Sequence, residues 1–414
     1  MGVLEHSDAL WRGELRAEDH HPFGASGDIE EIADGVAFLP GFANVTALRT
    51  GDGLVLVDTG SPFTAAHVHQ QVRSWRPDPL RLAVFSHGHI DHVSGMGPFE
   101  DEARERGDRA PTVLAHEAMP ARFDRYRLTA GWNGAINGRQ FAGGSPIPWP
   151  TDYRYPDETY RDARTVELGG LTVELHHARG ETDDHTWTWV PDRKVLCSGD
   201  LFIWASPNAG NPQKVQRYPA EWAQALRRMA DLGAELLLPG HGVPVAGADR
   251  IRQALTDTAA LLESLVEQTL ALMNDGADLD TVLHSVTPPA GLMERPYLRP
   301  VYDEPEFVVH TIWRQYGGWW NGDPSSLHPA PSAALAAEVA ALAGGPGRLA
   351  ARARELVDAG ELRLAGHLAE MARRAAPGDD DIAAAAAEVN RRRAEAATST
   401  MAKGIYNWAA ARDA

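Results

Sequence analysis

Metal-binding side chains crowd into the short stretch VFSHGHIDHVSG, residues 84–95. His87, His89, Asp91 and His92 follow directly on an apolar run that reads as a strand. Histidine binds divalent cations as a neutral ligand near pH 7, and aspartate supplies an anionic oxygen. In a tight loop after a strand, the first two side chains can face one point while the last two face a second point nearby. The spacing therefore predicts two metal positions at the end of a strand.

Three further acidic or histidine side chains also stand where an apolar strand has just ended. His241 lies between two glycines in LLLPGHGVP, which lets the backbone turn sharply and leaves the imidazole unobstructed. Asp200 ends KVLCSGD, and Glu181 lies in HHARGETDDH with His176, His177 and His185 close by. Together with the histidine stretch, these residues extend the predicted metal site.

Composition excludes several classes of protein. The chain has 414 residues, of which 43% are hydrophobic, so it is long enough for two cores. A formal charge of −18 argues against binding to nucleic acid or to an anionic membrane surface. The single cysteine, Cys197, excludes an internal disulfide framework. No signal-peptide core and no membrane-spanning run stand out, so we expect a cytoplasmic protein.

The chain changes character at about two thirds of its length. Up to residue 250, short strands alternate with helices, which favours layered α/β sheets. Beyond that point the pattern is helical and rich in Ala, Glu and Arg. We predict one domain over residues 1–270, which carries the predicted metal site, and an all-helical domain over residues 271–414.

These motifs together resemble the metallo-β-lactamase superfamily. The resemblance covers residues 36–250 and rests on Asp58-Thr59-Gly60, His87-x-His89-x-Asp91-His92, the ligand position after Gly180, Asp200 in Ser-Gly-Asp, and His241 in Pro-Gly-His-Gly. It implies an α/β fold, the αββα sandwich, with a dinuclear site at one edge of the paired sheets. The ions would be two Zn²⁺, although another divalent metal would also suit such ligands.

The resemblance also implies a role for each site residue. His87 and His89 would bind the first metal, while Asp91, His92 and His241 would bind the second. Asp200 would bridge the two ions, and Asp91 and Asp200 would thereby take part in catalysis. Asp58 would orient the histidine loop from behind the ligands.

One position departs from the common pattern of the superfamily. Most members have Gly-His-Thr where this chain has Gly180-Glu181-Thr182. In this respect the chain resembles the alkylsulfatase branch, which has a glutamate ligand at this position. The resemblance implies that Glu181 is the third ligand of the first metal. His185 then falls where the family keeps a histidine behind the ligands. In the alternative assignment, His185 or His177 is the ligand and Glu181 is a surface acid.

The C-terminal part is similar to the same branch. Residues 310–329, HTIWRQYGGWWNGDPSSLHP, resemble the segment that opens the alkylsulfatase dimerisation domain. A helical domain that buries one face against a second copy would make the protein a homodimer with twofold symmetry.

Two polar segments between the ligand motifs are candidates for binding an anionic substrate. Residues 132–144 read as a loop that carries Asn133, Asn137 and Arg139, and residues 206–219 carry Lys214 and Arg217. The second segment has Gln213-Lys214 where the alkylsulfatases have an arginine-bearing stretch, and lysine offers a point charge rather than a planar guanidinium. An exposed loop residue without function is the alternative for each of the five.

The resemblance implies an enzyme, a metal-dependent hydrolase of alkyl sulfates or related anionic esters that uses a metal-bridging hydroxide. The same scaffold also serves lactone and thioester hydrolases and iron-dependent sulfur dioxygenases, so these stay open. An alternative of another class is a non-catalytic scaffold whose helical domain binds partners. We expect a small anionic ester as substrate, and neither nucleic acid nor a membrane as partner.

Overall fold

The computed structural model describes residues 1–141 and 143–412. The chain divides into two compact units. The first unit comprises residues 1–128, 150–277 and 281–318, and the second comprises residues 129–149, 278–280 and 319–414.

The first unit contains a seven-stranded mixed sheet whose strands follow one another in chain order. Its strands are β1 (Glu30–Ala33), β2 (Val36–Leu39), β3 (Val45–Thr50), β4 (Gly53–Val57), β5 (Leu80–Val84), β6 (Thr112–His116) and β7 (Glu158–Tyr160). The pairs β1 to β4 are antiparallel, whereas β4, β5, β6 and β7 run parallel.

A second sheet of six strands has the order β13-β12-β11-β10-β9-β8. Its strands are β8 (Ala163–Leu168), β9 (Leu171–His177), β10 (Thr186–Val190), β11 (Val195–Gly199), β12 (Leu236–Pro239) and β13 (Val245–Ala246). Only β11 and β12 pair in parallel.

Helices connect the strands and continue to the C-terminus. They are α1 (Val3–Trp11), α2 (Ala65–Trp75), α3 (Ile90–Val93), α4 (Gly97–Arg106), α5 (Met119–Leu128), α6 (Ala130–Phe141), α7 (Pro219–Ala230), α8 (Ala248–Asn274), α9 (Leu279–Ser285), α10 (Pro305–Gly317), α11 (Ser332–Ala343), α12 (Pro346–Asp358), α13 (Leu362–Ala375), α14 (Asp380–Ala396) and α15 (Thr400–Arg412).

The two sheets pack face to face over an aliphatic core. Alternate residues of β4 and β5, such as Val55 and Val84, are fully buried against residues of β9 and β11, among them Leu175 and Cys197. Period-two alternation places these side chains on one face of each strand. The outer face of the second sheet is covered by α7, α8 and α10 around the buried Trp222, while α2 packs on β2. The predicted αββα sandwich is thereby confirmed.

The second unit is helical, as predicted for the C-terminal part of the chain. Its helices α12, α13 and α14 pack through small side chains such as Ala353, Ala365 and Ala386. The unit also includes α6 and the segment that follows it, which precede the second sheet in the sequence. The single helix α8 runs across residue 270. The division at that residue stays a prediction.

The loop predicted over residues 132–144 is wrong for most of its length, because residues 130–141 form α6. The glycines of this helix allow close contact between backbones. A Cβ at Gly134 would lie 2.6 Å from the carbonyl oxygen of Ile147, and one at Gly138 would lie 2.2 Å from that of Ser145. Glycine thus lets the following segment lie directly against the helix.

Among the described residues, no helix is both long enough and apolar enough to cross a lipid bilayer.

Candidate metal centre

The predicted metal-binding residues meet at one edge of the sandwich. Asp58 follows β4, His87 follows β5, Asp200 follows β11 and His241 follows β12, while Glu181 lies between β9 and β10. Because β4 and β5 run parallel, as do β11 and β12, the carboxyl ends of each pair open on the same side. The sheets therefore gather side chains that are distant in sequence.

The first group of ligand atoms belongs to His87, His89, Glu181 and Asp200, whose nitrogen or oxygen atoms lie within 4.8 Å of one another. His87 Nε2 is 2.7 Å from His89 Nδ1, and His89 Nδ1 is 3.7 Å from Glu181 Oε1. Ligands bound at about 2.1 Å to one tetrahedral ion stand about 3.4 Å apart. The group therefore has the dimensions of a metal site.

The second group consists of Asp91, His92 and His241. The Nε2 atoms of the two histidines are 3.4 Å apart, and each lies 3.6 Å from Asp91 Oδ2. His92 donates from Nδ1 to Asp58 at 2.7 Å, and His241 donates from Nδ1 to the carbonyl oxygen of Phe42. These bonds fix the tautomers that leave Nε2 free to bind a metal.

Asp200 stands between the two groups. Its Oδ2 atom is 3.8 Å from His87 Nε2 and 3.1 Å from His241 Nε2, and its Oδ1 atom is 3.5 Å from His92 Nε2. The close packing of the strand ends leaves no room for larger neighbours, because a Cβ at Gly240 would lie 2.1 Å from Asp200 Oδ1. This placement is the one that a bridging carboxylate requires.

Two buried carboxylate oxygens show that these residues fit a metal ion. Glu181 Oε2 and Asp200 Oδ1 are shielded from solvent, and neither has a hydrogen-bond partner within the described part of the chain. Buried polar atoms without a partner are rare and costly. Two carboxylate oxygens aimed among histidine nitrogens are satisfied by divalent cations, which bind the deprotonated form.

The electrostatics of the site differ between the two histidines of the first group and His92. Burial, together with His92 and His89, lowers the pKa of His87 well below its ordinary value. Burial also lowers the pKa of His89, and the cations of Arg217 and Arg122 lower it further. Both imidazoles are therefore held in the neutral form that binds metals.

Carboxylates reverse this balance at His92. Burial lowers its pKa, but Asp200, Asp58 and Asp91 outweigh that effect and raise the pKa of His92 to about 10. Asp200 responds in the opposite sense, because His241, His92 and His87 overcome its burial and hold its pKa well below the ordinary value. The three carboxylates thus concentrate negative charge where cations would bind.

Glu181 is almost fully buried, with 3% of its surface exposed. Burial raises the pKa of Glu181 to about 8, although Arg217 opposes the shift through a 2.6 Å ion pair with Oε1. Asn208 donates to the same oxygen. Arg217 and Asn208 therefore hold Oε1 in place and leave Oε2 without a hydrogen-bond partner among the described residues.

Asp58 supports the site from behind, as the resemblance implies. It adopts a left-handed backbone conformation with φ of 60° and accepts the amide hydrogen of Ser86 at 2.7 Å. The Ser86 hydroxyl donates to Asp58 Oδ2 and lies 3.0 Å from His87 Nδ1. One carboxylate thus orients His92 directly and His87 through a hydroxyl group.

His185 and His177, the alternative ligands, lie outside both groups among the described residues. The ring of His185 stacks on that of His87 with centroids 4.9 Å apart, and its Nε2 atom accepts the amide hydrogen of Asp200 at 3.1 Å. His177 stacks on His116 and donates from Nδ1 to the carbonyl oxygen of His185. The ligand roles themselves stay predictions.

The five residues predicted to bind substrate divide between the units. Arg217 is buried beside Glu181, and burial together with Arg217 lowers the pKa of Lys214 to about 7 while Asp91 and Glu181 oppose the shift. Asn133 and Asn137 are buried on α6 of the second unit, where Arg139 stacks on Trp132 and Trp408. Substrate binding by these residues stays a prediction.

Several residues of the site were missed by sequence reasoning. Asn208 contacts Glu181, and Phe23 packs on the His241 ring with centroids 4.0 Å apart. Arg122 pairs with Asp184 behind the histidine loop at 2.8 Å. No local motif marks any of them, apart from the position of Asp184 in the stretch that carries Glu181.

Family models match two parts of the chain. Residues 39–241 match the metallo-beta-lactamase superfamily, and residues 278–413 match the alkyl sulfatase dimerisation family. The second match covers the region where the sequence resembled that domain.

Curated relatives and solved structures give the same picture. A linear primary-alkylsulfatase of Pseudomonas sp. is 27% identical over 77% of this chain and 63% of its own length. An alkyl/aryl-sulfatase of Saccharomyces cerevisiae is 23% identical over 80% of this chain and 55% of its own length. The crystal structure of a stereoselective inverting sec-alkylsulfatase from Pseudomonas sp. has a TM-score of 0.83 and 23% identity, and covers 92% of this chain and 64% of that one. The chain thus spans less than two thirds of the length of each of these three relatives.

The sandwich and the paired ligand groups at its edge define a metallo-β-lactamase fold with a divalent metal site. With both family models matched in order, the chain is similar to the alkylsulfatases of the metallo-β-lactamase superfamily in both of its parts.

Proposed function

We propose that the protein binds two Zn²⁺ ions and hydrolyses alkyl sulfates or closely related anionic esters. The observation that carries the proposal is the match to alkylsulfatases across both parts of the chain, combined with Glu181 beside His87 and His89. His87, His89 and Glu181 would hold one ion, Asp91, His92 and His241 the other, and Asp200 both.

The metals would supply a bound water that ionises near neutral pH, since zinc lowers its pKa from 15.7 to about 7. The ligand charges that the protein supplies set how far the metals lower this pKa. Asp91, Glu181 and Asp200 bring three negative charges to two divalent ions, whereas a histidine at position 181 would bring only two. Glu181 therefore makes the site a milder Lewis acid and fixes its net charge.

The segment that carries Lys214 and Arg217 offers polar groups for an anionic substrate. Ser206 Oγ, Asn208 Oδ1, Asn211 Nδ2 and Arg217 Nε are buried there without a hydrogen-bond partner within the described residues. A sulfate group presents several acceptor oxygens, which the Asn211 amide, the Arg217 guanidinium and the Lys214 ammonium can bind as donors.

Apolar surface for the alcohol part of the ester lies beside His241. Phe23 is partly exposed, Phe42 is 40% exposed, and the centroid of each ring lies within 6 Å of the His241 ring. An alkyl chain that covers these rings gains about 25 cal/mol for each Å² of apolar surface removed from water.

Turnover of a primary alkyl sulfate tests the proposal. We expect sulfate release by the purified full chain to require bound metal and to exceed hydrolysis of lactones and thioesters by at least about tenfold in kcat/KM, which corresponds to about 1.4 kcal/mol of discrimination. Metal content should be measured on the same sample. Faster hydrolysis of a lactone, or oxidation of a persulfide by an iron-loaded sample, would contradict the proposed substrate.

Association of two copies is the second part of the proposal, and α11 supports it. This helix buries Ala336 and Ala340, whereas Leu335 is 54% exposed and Leu342 is 90% exposed. Residues seven apart lie on the same face of a helix, so the two leucines form one apolar surface. A second copy that covers this surface removes it from water.

We expect the full chain to have the mass of a dimer in sedimentation experiments at micromolar concentration. Leu335→Glu with Leu342→Glu should shift it to the monomer, because paired charges would be buried in the interface. Leu128→Glu is a matched control, since Leu128 is 85% exposed at the end of α5 in the first unit. A full chain that is monomeric under these conditions would contradict the proposed dimer.

A further inference from the structure

A buried ion pair lies directly behind the histidine loop. Asp184 is fully buried, and its Oδ1 atom accepts a hydrogen bond from Arg122 Nε at 2.8 Å. Its Oδ2 atom accepts the amide hydrogen of Gly88 at 3.0 Å. Gly88 is the residue between His87 and His89, so the carboxylate is hydrogen-bonded to the backbone that connects these two histidines.

The space around Gly88 allows little movement. A Cβ at this position would lie 2.6 Å from Arg122 Cδ and 3.0 Å from Asp184 Oδ2. Arg122 lies on α5 and also contacts Tyr126 at 3.4 Å and Asp183. The guanidinium is thereby fixed from three sides, and the loop packs against a rigid support.

Neighbouring residues bind the same loop through two further contacts. The amide of Thr186 donates to the carbonyl oxygen of Ser86 at 2.6 Å, and the His185 ring stacks on His87. Residues 184, 185 and 186 therefore contact residues 88, 87 and 86, respectively. Of these three contacts, the one made by Asp184 is the contact that involves a charged side chain.

We propose that Asp184, held by Arg122, is a positioning residue that sets the spacing of His87 and His89 for the first metal. This inference rests on the proposed metal site. The Asp184 carboxylate contacts neither imidazole; it acts through the Gly88 amide. A buried ion pair of this kind is weak evidence for stability, so we assign its role to the loop geometry that it fixes.

Asp184→Asn tests the inference, because an amide has one oxygen for two donors. The amide can accept either from Gly88 or from Arg122, and its NH₂ group then faces the other donor. Asp183→Asn is the matched control. Asp183 pairs with the same arginine, but its side chain is 41% exposed, and no contact joins it to the histidine loop in the described chain.

Zn²⁺ affinity should be measured on the full chain by competition with a chromophoric chelator. We expect Asp184→Asn to weaken the binding of one ion by roughly 10- to 100-fold, the range for groups that orient metal ligands, and Asp183→Asn to change it less than about threefold. The absorption bands of Co²⁺ bound in place of Zn²⁺ should shift only in Asp184→Asn, since they report ligand geometry rather than stability.

Arg122→Lys keeps the test decisive if Asp184→Asn fails to fold. It retains the positive charge but loses the Nε–H that holds the carboxylate, so we expect a loss of roughly tenfold together with shifted Co²⁺ bands. Equal affinity and unchanged Co²⁺ bands in the folded variants would overturn the inference and leave the metal site standing. A wild-type chain that binds neither ion would overturn both.

Discussion

Removing metal from the purified protein should lower the proposed alkyl sulfatase activity by about three orders of magnitude or more, because no described side chain of the site can replace a water ionised near neutral pH. Dialysis against a chelator followed by a sulfate-release assay measures the effect. Zn²⁺ should restore activity, whereas Mg²⁺ should not, since Mg²⁺ prefers an all-oxygen shell over imidazole ligands.

Thermal unfolding gives an independent measure of the same loss. The metal-free site gathers the carboxylates of Asp91, Glu181 and Asp200, and two of their buried oxygens have no partner among the described residues. Binding of an ion at 100 times its dissociation constant stabilises the folded state by about 2.7 kcal/mol. The first unit should therefore unfold at a lower temperature after chelation. Unchanged activity and unfolding after complete removal of metal would contradict the proposed hydrolase.

The histidine loop and a layered α/β domain could be predicted because their signals are local, whereas the αββα sandwich was expected from the resemblance to a family. His87, His89, Asp91 and His92 lie in one short stretch, and strand periodicity places that stretch at the end of β5. Glu181, Asp200 and His241 each follow a strand or stand beside one. Parallel pairing then brings these strand ends together. The position of each residue after a strand was therefore enough to predict that the metal-binding side chains meet.

The contacts behind the ligands could not be predicted in this way. Asp184 and Arg122 are separated by 62 positions, and Phe23 reaches His241 from the N-terminal segment. Such pairs have no period and no motif, because they depend on how loops fold over the sheet edge. The loop predicted over residues 132–141 was wrong for another reason. The glycines of this segment serve close backbone packing in α6.

Glu181→Gln should lower the affinity of the first metal position by more than the 10- to 100-fold typical of residues behind the ligands. The substitution replaces an anionic oxygen with a neutral amide oxygen in the group of His87, His89 and Asp200. His185→Ala should be the milder change. His185 contacts the ring of His87 and the amide of Asp200, so its loss would loosen ligands rather than remove one.

Metal titration of both variants, with Asp183→Asn as a control from the same loop, compares these effects. Glu181→Gln also leaves Arg217 buried without its ion-pair partner at 2.6 Å, which lowers the free energy of unfolding by itself. Glu181→Asp separates the two causes. It keeps the charge beside Arg217 but shortens the reach to the metal, so its unfolding should stay near that of the wild type while its metal affinity falls.

The order of the two main variants decides which residue is the third ligand. If His185→Ala loses one ion while Glu181→Gln binds two normally, the neutral ligand of the wider superfamily is present here and Glu181 serves only to neutralise Arg217. The two ions would then face two carboxylates instead of three, and the site would carry one more positive charge. Glu181 Oε2 and His185 Nδ1 are both buried without a partner among the described residues, so burial favours neither. The grouping of ligand atoms argues for the opposite order, because Glu181 lies with His87, His89 and Asp200 within the span of one ion, whereas His185 lies outside that group.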